Sequence, residues 1–349
     1  SRQFWLRVQG DGFEPSSFAG SALCSSVQGM TLRVGVIGAG GMGREHITNL
    51  AVLEGVEVHI VADVVVAGAE AGAALAGPSA AAVTDPMAVA THPDLDAVVI
   101  ASPDDTHAEL AIAAIEAGLA VLCEKPLAVT VADAERVVAA EAAAPSSLVQ
   151  VGLMRVYDPA HQQVADAMMQ LGPLHHLRLV HRNTNAQWER SLETVFSQSL
   201  IHDIHSARWF SGSEFGSVVA QVVRTGARIN YVNLLGELAS GATVSIEFAE
   251  ATYGYDVEVE ATCEHGMAIA AQPAQPVVRR DGRAHRHIGD DWFGRFTDAY
   301  RTEAAEWTSG VLAGEVRGPT ATDGLAAQRV VAAAIESAET GARVTVIGG

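Results

Sequence analysis

The stretch that most constrains the fold covers residues 31–46 and reads TLRVGVIGAGGMGREH. It opens with an alternating run rich in β-branched residues, which is typical of a buried strand. Three glycines follow in the spacing G-x-G-x-x-G, at Gly38, Gly40 and Gly43, and the pattern over 42–52 predicts a helix. Strand, glycine-rich turn and helix in this order predict a dinucleotide-binding unit, because the free N–H groups at a helix start attract phosphates.

Each glycine has a separate role in such a turn. Gly38 allows the chain to turn tightly, Gly40 lets the backbone approach a pyrophosphate, and Gly43 lets the helix pack closely on the strand. We therefore predict that this turn binds the cofactor phosphates, with Gly41 and Met42 contributing between the glycines.

A second strand ends in a carboxylate at Asp63, which lies 20 residues beyond Gly43. An acidic residue at about this distance accepts hydrogen bonds from an adenosine ribose in dinucleotide-binding folds. It also repels a 2′-phosphate, and residues 64–66 supply no arginine to hold one. The sequence therefore predicts NAD rather than NADP, although a helix N-cap remains an alternative role for Asp63.

Strands and helices alternate up to residue 148, which predicts a doubly wound parallel sheet. Ligands of such sheets bind beyond the carboxyl ends of the strands. Polar turns follow two of these ends, reading SPDDTH over 102–107 and EKP over 124–126. We expect them to meet the glycine-rich turn in one crevice. The predicted cofactor contacts from these turns are Ser102, Pro103, His107, Glu124 and Lys125.

The second half of the chain has a different rhythm. Alternating runs joined by short glycine-containing turns predict a large, open, mostly antiparallel sheet, interrupted by a helix over 194–211. The fold class is thus α/β. We predict a Rossmann domain over 31–148 and a substrate and oligomerisation domain over 149–349, whose last helix is able to pack back on the first. Residues 1–30 show no periodicity and are predicted to be a flexible extension.

Charge and composition exclude several partner classes. The formal net charge of −19 disfavours nucleic acid and anionic membrane surfaces, and no apolar run reaches the ~18 residues of a membrane span. The three cysteines show no disulfide spacing, which indicates a reducing compartment. We predict a cytoplasmic protein that binds a small molecule.

The EKP turn, together with the G-x-G-x-x-G start, resembles the glucose–fructose oxidoreductase / inositol dehydrogenase / MocA family, and most closely its inositol 2-dehydrogenases. Further matches are VGLMRVYDP over 151–159, HRN over 181–183, YGYD over 253–256, WFGRF over 292–296 and GPTATDG over 318–324. The resemblance covers residue 31 to the C-terminus. It implies NAD-dependent oxidation of a secondary alcohol in a polyol or sugar, and self-association as a dimer or homotetramer.

The resemblance also implies the residues of the reaction. Lys125 is the family's ammonium group near the reacting oxygen, and His202 is its general acid/base. On a helix, Gln198, His202 and His205 lie on one stripe. The predicted substrate contacts are Lys125, Met154, Arg155, His181, Asn183, Gln198, His202 and His205.

Two positions depart from the inositol dehydrogenase pattern, which usually has acids where this chain has Gln198 and His205. The substrate therefore stays open among inositols, amino-cyclitols and deoxy sugars, and a ketosugar reductase of secondary metabolism is a further alternative. A non-catalytic NAD- or sugar-binding sensor is the alternative from another class. His202 and His205 are spaced to share a metal ion, but no third ligand is identifiable, so no metal is predicted.

Overall fold

The computed structural model describes residues 31–145, 148–184, 189–250, 254–271, 277–286, 289 and 291–348, and the predicted extension over 1–30 lies outside them. The first sheet contains β1 (Leu32–Ile37), β2 (Val56–Ala62), β3 (Ala81–Val83), β4 (Ala97–Ile100), β5 (Ala120–Glu124) and β6 (Val149–Gly152). Its order is β3-β2-β1-β4-β5-β6, with every pair parallel. The order reverses between β1 and β4, so a crevice opens beyond their carboxyl ends.

Helices cover both faces of this sheet. They are α1 (Gly41–Ala51), α2 (Val66–Ala76), α3 (Pro86–Ala90), α4 (His107–Glu116) and α5 (Val131–Ala143). Successive residues of β4 point to opposite faces, so Val98 packs in one apolar core and Val99 in the other. Burial on both faces explains why these strands read as continuous apolar runs.

The second sheet consists of β7 (Leu174–Asn183), β8 (Phe215–Thr225), β9 (Arg228–Leu238), β10 (Thr243–Glu250), β11 (Asp256–Cys263), β12 (Gly266–Ala270) and the short β15 (Val344–Thr345). Its order is β12-β11-β7-β10-β9-β8-β15. The β7–β10 pair is parallel, whereas the other neighbours are antiparallel. The sheet is therefore mixed and mostly antiparallel.

The two faces of the second sheet differ in burial. One cross-strand row runs from Leu234 through Ile246 and Leu179 to Val259, and all four side chains are buried. The adjacent row, one residue along each strand, contains polar and partly exposed groups, with Leu235 and Ile269 well exposed. One face thus packs on the core while the other is uncovered.

The remaining helices connect the two sheets. They are α6 (Pro159–Met168), α7 (Leu192–Val195), α8 (Ile201–Ser211), α9 (Trp292–Ala313) and α10 (Ala321–Thr340), with 3₁₀ turns at Asp104–Thr106 and Met154–Tyr157. A side hairpin is formed by β13 (Val277–Arg280) and β14 (Arg283–Arg286). The last helix contacts α5, and the Gln328 side-chain amide donates to the Ala128 carbonyl at 2.5 Å.

The predicted fold class is confirmed, with local differences. Gly226, with φ of +63°, turns the chain after Thr225, so that the alternating run there divides into the end of β8 and the start of β9 at Arg228. The predicted helix over 194–211 begins at Leu192 and contains a π-helical turn, Phe196–Leu200, between α7 and α8. The hairpin β13–β14 had no expectation in the sequence.

Candidate active site

The glycine-rich turn lies at the carboxyl end of β1. Gly38 has φ of +95°, and a Cβ there would lie 2.5 Å from the Ala101 carbonyl oxygen. A Cβ on Gly43 would lie 1.8 Å from the Gly38 carbonyl oxygen. Both positions therefore require glycine. By contrast, a Cβ on Gly40 or Gly41 would meet nothing within 4 Å.

The start of α1 is left open for an anion. Its N-cap is Gly40, which offers no side chain to cap the helix, and the first turn contains no acidic residue. The free N–H groups therefore face the open space beside Gly40 and Gly41. A turn with this shape fits the pyrophosphate of a dinucleotide.

Asp63 joins the glycine-rich turn to the end of β2. Its Oδ2 accepts from the Ala39 amide and its Oδ1 accepts from the Val65 amide, both at 2.9 Å. These bonds fix the carboxylate beside the turn, and each carboxylate oxygen retains a lone pair for a ribose hydroxyl. The donor set at this end of the sheet thus fits NAD.

His107 ties together the two polar turns that follow β4 and β5. Its Nδ1 donates to the Pro126 carbonyl at 2.7 Å and its Nε2 donates to the Ser102 carbonyl at 2.9 Å. Burial opposes a charged ring, but Cys123 and the two carbonyls outweigh it and raise the pKa of His107 to about 10. Because both ring nitrogens are bound in the protein, a cofactor contact of His107 stays a prediction.

Glu124, the residue before Lys125, is held in place by a buried histidine. Its Oε1 lies 2.8 Å from His46 Nε2, and both side chains are buried. Burial alone would raise the pKa of Glu124, but the His46 hydrogen bond and charge lower it. The pKa of Glu303 shifts in the opposite direction, because burial and the Glu124 charge raise it well above the usual range. The two buried acids thus differ, with the charged form favoured at Glu124 and disfavoured at Glu303.

Lys125, at the end of β5, contacts the second half of the chain. Its Nζ donates to Gln198 Oε1 at 2.5 Å, and the Gln198 Nε2 in turn donates to Asp104 Oδ2. Burial lowers the pKa of Lys125 against the opposing pull of Glu124 and Asp104, and the Arg190 charge lowers it further. Lys125 is the only lysine in the sequence.

The π-helical turn accounts for the position of Gln198. Its first residue, Phe196, and the flanking residues Val195 and Ile201 are all buried, so the helix stays anchored in the core on both sides of the turn. The widened turn brings the Gln198 side chain to Lys125. Such turns recur at functional sites.

His202 lies one turn further along α8 and is 8% exposed. Its Nδ1 is buried without a hydrogen-bond partner among the described residues. Burial lowers the pKa of His202 well below its ordinary value, and the charges of Arg155 and Lys125 lower it further. The same surroundings thus disfavour a charged imidazole at this position.

A buried ion pair links α8 to the residues that precede it in the chain. Arg155 Nη1 donates to Asp203 Oδ1, and His181 Nδ1 lies 2.8 Å from Asp203 Oδ2. All three side chains are almost fully buried, and Arg155 also lies over the Phe296 ring, 5.6 Å from its centroid. Arg155 thus forms a buried ion pair, although arginine more often forms ion pairs at the protein surface.

The structure brings most of the predicted site residues to one place, but not all in the same way. Asn183 Nδ2 lies 3.5 Å from Ser199 Oγ, Met154 is buried in an apolar cluster that Met42 contacts, and Pro103 precedes the 3₁₀ turn. His205 is also buried. Burial lowers its pKa to about 4 against the charge of Asp323.

Two acids of the site were not predicted. Asp104 and Asp203 each stand beside a residue that was singled out, yet their partners lie 94 and 48 positions away in the chain. No local sequence pattern marks these two acids, because each is recognisable only by a hydrogen bond to a donor far away in the chain. In the described part of the chain, no group of three or more His, Cys, Asp or Glu residues is placed to hold a metal ion.

Membrane insertion finds no support in the helices. Within the described ranges, none combines the length and the apolar character that crossing a bilayer requires.

Comparison with known proteins agrees with this geometry. Residues 32–153 match the NAD-binding Rossmann fold of an oxidoreductase family, and residues 174–346 match the C-terminal alpha/beta domain of the same family. Inositol 2-dehydrogenase 1 of Saccharopolyspora erythraea is 39% identical over 326 residues, which is 91% of this chain and 97% of that protein. An inositol 2-dehydrogenase of Klebsiella pneumoniae is 36% identical over 327 residues, 91% of this chain and 97% of that one.

A solved structure is also similar. The crystal structure of myo-inositol dehydrogenase from Lactobacillus casei with NAD(H) and myo-inositol superposes with a TM-score of 0.87 at 30% identity, covering 92% of this chain and 98% of that one. Taken with the site, these matches show that the chain belongs to the GFO/IDH/MocA family of NAD-binding oxidoreductases.

Proposed function

We propose that the protein is an NAD-dependent dehydrogenase that oxidises a secondary alcohol of a cyclic polyol of the inositol type. The observation that carries this proposal is that Lys125, at the carboxyl end of the first sheet, binds Gln198 at 2.5 Å, one helical turn before His202. The Lys125 charge acts on the buried His202 ring from there. The names of the similar proteins, which act on inositol, support the same substrate class.

Oxidation of an alcohol removes a proton from its oxygen and a hydride from its carbon. NAD, when bound, accepts the hydride. Lys125 donates a hydrogen bond to the substrate oxygen and stabilises its developing negative charge. His202 acts as the general base and takes the hydroxyl proton; its Nδ1 has no hydrogen-bond partner among the described residues. The two residues thus divide charge stabilisation and proton transfer between them.

The cofactor and substrate come from different halves of the chain in this proposal. Residues 31–148 hold NAD through the glycine-rich turn, Asp63 and the turn at Ser102. Residues 149–349 provide the substrate contacts, which we assign to Met154, Arg155, His181, Asn183, Gln198 and His205 beside the two catalytic residues. The uncovered face of the second sheet is the surface through which the protein would form a dimer or tetramer.

The test is turnover by the purified protein with NAD and a panel of inositol stereoisomers, amino-cyclitols and hexoses. NADH formation with an inositol and not with the hexoses is the expected result. Preference for an amino-cyclitol, or faster reduction of a ketosugar by NADH, would reassign the substrate within the same reaction. NAD binding by calorimetry without turnover on any compound in either direction would overturn the proposal and favour a sensor.

A further inference from the structure

The polar chain from Lys125 through Gln198 to Asp104 has an arrangement that chemistry fixes. An ammonium group only donates hydrogen bonds and a carboxylate only accepts them. The Gln198 amide between them can therefore satisfy both in one orientation only, with its oxygen on Lys125 and its nitrogen on Asp104. The structure shows this orientation, with Lys125 Nζ at 2.5 Å from Gln198 Oε1.

A carboxylate at position 198 would not fit the same surroundings. It would meet the Asp104 carboxylate at hydrogen-bonding distance, and two carboxylates so close cannot both stay ionised. Gln198 and Asp104 are therefore complementary.

We propose that Asp104 is a positioning residue for the reaction, acting through the Gln198 amide to orient Lys125 and to keep it charged. This inference rests on the proposed function, since it assigns a role in the same reaction. Asp104 lies in the 3₁₀ turn Asp104–Thr106, after β4, so the turn that follows β4 contributes to the substrate end as well as to the cofactor end.

The charges around Lys125 are consistent with this role. Two carboxylates hold its proton, Glu124 from β5 itself and Asp104 from the 3₁₀ turn, while the Arg190 guanidinium opposes them. Burial and the neighbouring charges lower the pKa of His202 on α8 well below its ordinary value. Arg190 is itself paired with Glu250 at 2.5 Å. Among the described residues, Asp104 has no cationic partner apart from Lys125.

The test exploits the fact that Lys125 is the only lysine in the chain. Protein grown with lysine labelled with ¹³C at Cε gives one side-chain signal, and its titration reports Lys125 without any need for turnover. In Asp104→Asn the hydrogen bond from Gln198 is kept and the charge is removed, so the midpoint should fall by about one pH unit. Asp105→Asn removes an exposed charge from the neighbouring position and is the matched control, with no more than a small shift expected.

A rescue experiment separates positioning from general damage. Gln198→Glu, which has the same shape as glutamine, alone places two acids together and should lower kcat/KM. The double variant Gln198→Glu with Asp104→Asn removes that conflict, and it should exceed the Gln198→Glu single variant by about tenfold and restore the lysine titration. Thermal unfolding and NAD affinity report whether each variant is folded.

Two results would overturn the inference. One is an Asp104→Asn titration that coincides with those of the wild type and Asp105→Asn, and the other is a double variant no better than its worse single parent. Failure of the proposed function is a separate outcome, because it shows as absent turnover in the wild type while the lysine titration still reads out.

Discussion

The two ends of the proposed active site are built differently, and we call them the cofactor end and the substrate end. The cofactor end is made of backbone, with glycines within six positions of one another and a carboxylate bound to two amides. The substrate end is made of side chains, such as Lys125 and Gln198, that meet from 73 positions apart. The first is defined by what it leaves empty, and the second by contacts that must be assembled by the whole fold.

The largest effect is expected below the substrate end, in the buried pair of Arg155 and Asp203. Arg155→Met leaves the Asp203 carboxylate buried without its cation, which should cost roughly 3–5 kcal/mol of unfolding free energy. Urea unfolding measures it. Arg301→Met, in the exposed pair with Asp298, should change stability by no more than about 0.5 kcal/mol. Equal losses in the two variants would show that this end does not depend on its buried charges.

Removal of the ammonium group tests the substrate end itself. Lys125→Ala should lower kcat by about 10²–10³-fold or more, because it removes the donor that stabilises the developing oxyanion. NAD affinity, measured by calorimetry, should stay within about threefold, since less than 1 kcal/mol of binding is expected from this side chain. A variant that loses NAD binding together with turnover would instead place Lys125 in the cofactor end.

Two glycine substitutions test the cofactor end. Gly43→Ala forces a methyl group onto the Gly38 carbonyl and should cost roughly 1–3 kcal/mol of stability as well as NAD affinity. Gly41→Ala enters open space, so it should keep or raise stability and weaken only NAD binding. Thermal unfolding and calorimetry separate the two effects. Normal NAD binding by Gly41→Ala would show that the space beside it does not hold the cofactor.

The smallest effect concerns pH and His205. Its pKa is about 4 in the folded protein and about 6.5 in an unfolded chain. Below pH ~6.5 His205 binds a proton in the unfolded chain but not in the folded protein. The free energy of unfolding therefore falls as the pH drops from there towards 4. His205→Gln should reduce this loss by about 1–3 kcal/mol. Urea unfolding at neutral and acidic pH measures it, and parallel curves for the two proteins would contradict the assignment.

The difference between the two ends also explains what the sequence could predict. The G-x-G-x-x-G turn and Asp63 are local signals, because one strand, one turn and one helix determine their geometry. The β/α rhythm predicted the first sheet for the same reason. The alternating runs predicted the second sheet as mostly antiparallel, but not that β7 and β10 run parallel, since register between distant strands has no local sequence signal.

At the substrate end, residue types were predicted and their partners were not. Lys125 and His202 came from a resemblance, while Asp104 and Asp203 carried no pattern of their own. Gln198 was identified as an unusual residue, yet its link to Asp104 depends on a helix that is not regular. His205, expected on the same helical stripe, also feels the charge of Asp323 from α10, which the sequence did not indicate.

The π-helical turn at Phe196–Leu200 has a consequence for how this part of the chain can change in length. A π-helical turn contains one residue more than an α-helical turn. Removing one residue there would allow a continuous α-helix, but it would rotate everything on one side by about 100° relative to the other. The helix could then keep its core packing on only one side of the turn. The number of residues between Ser191 and His202 is therefore fixed both by the contact of Gln198 with Lys125 and by the packing of the helix. We expect substitutions there to be tolerated more readily than insertions or deletions.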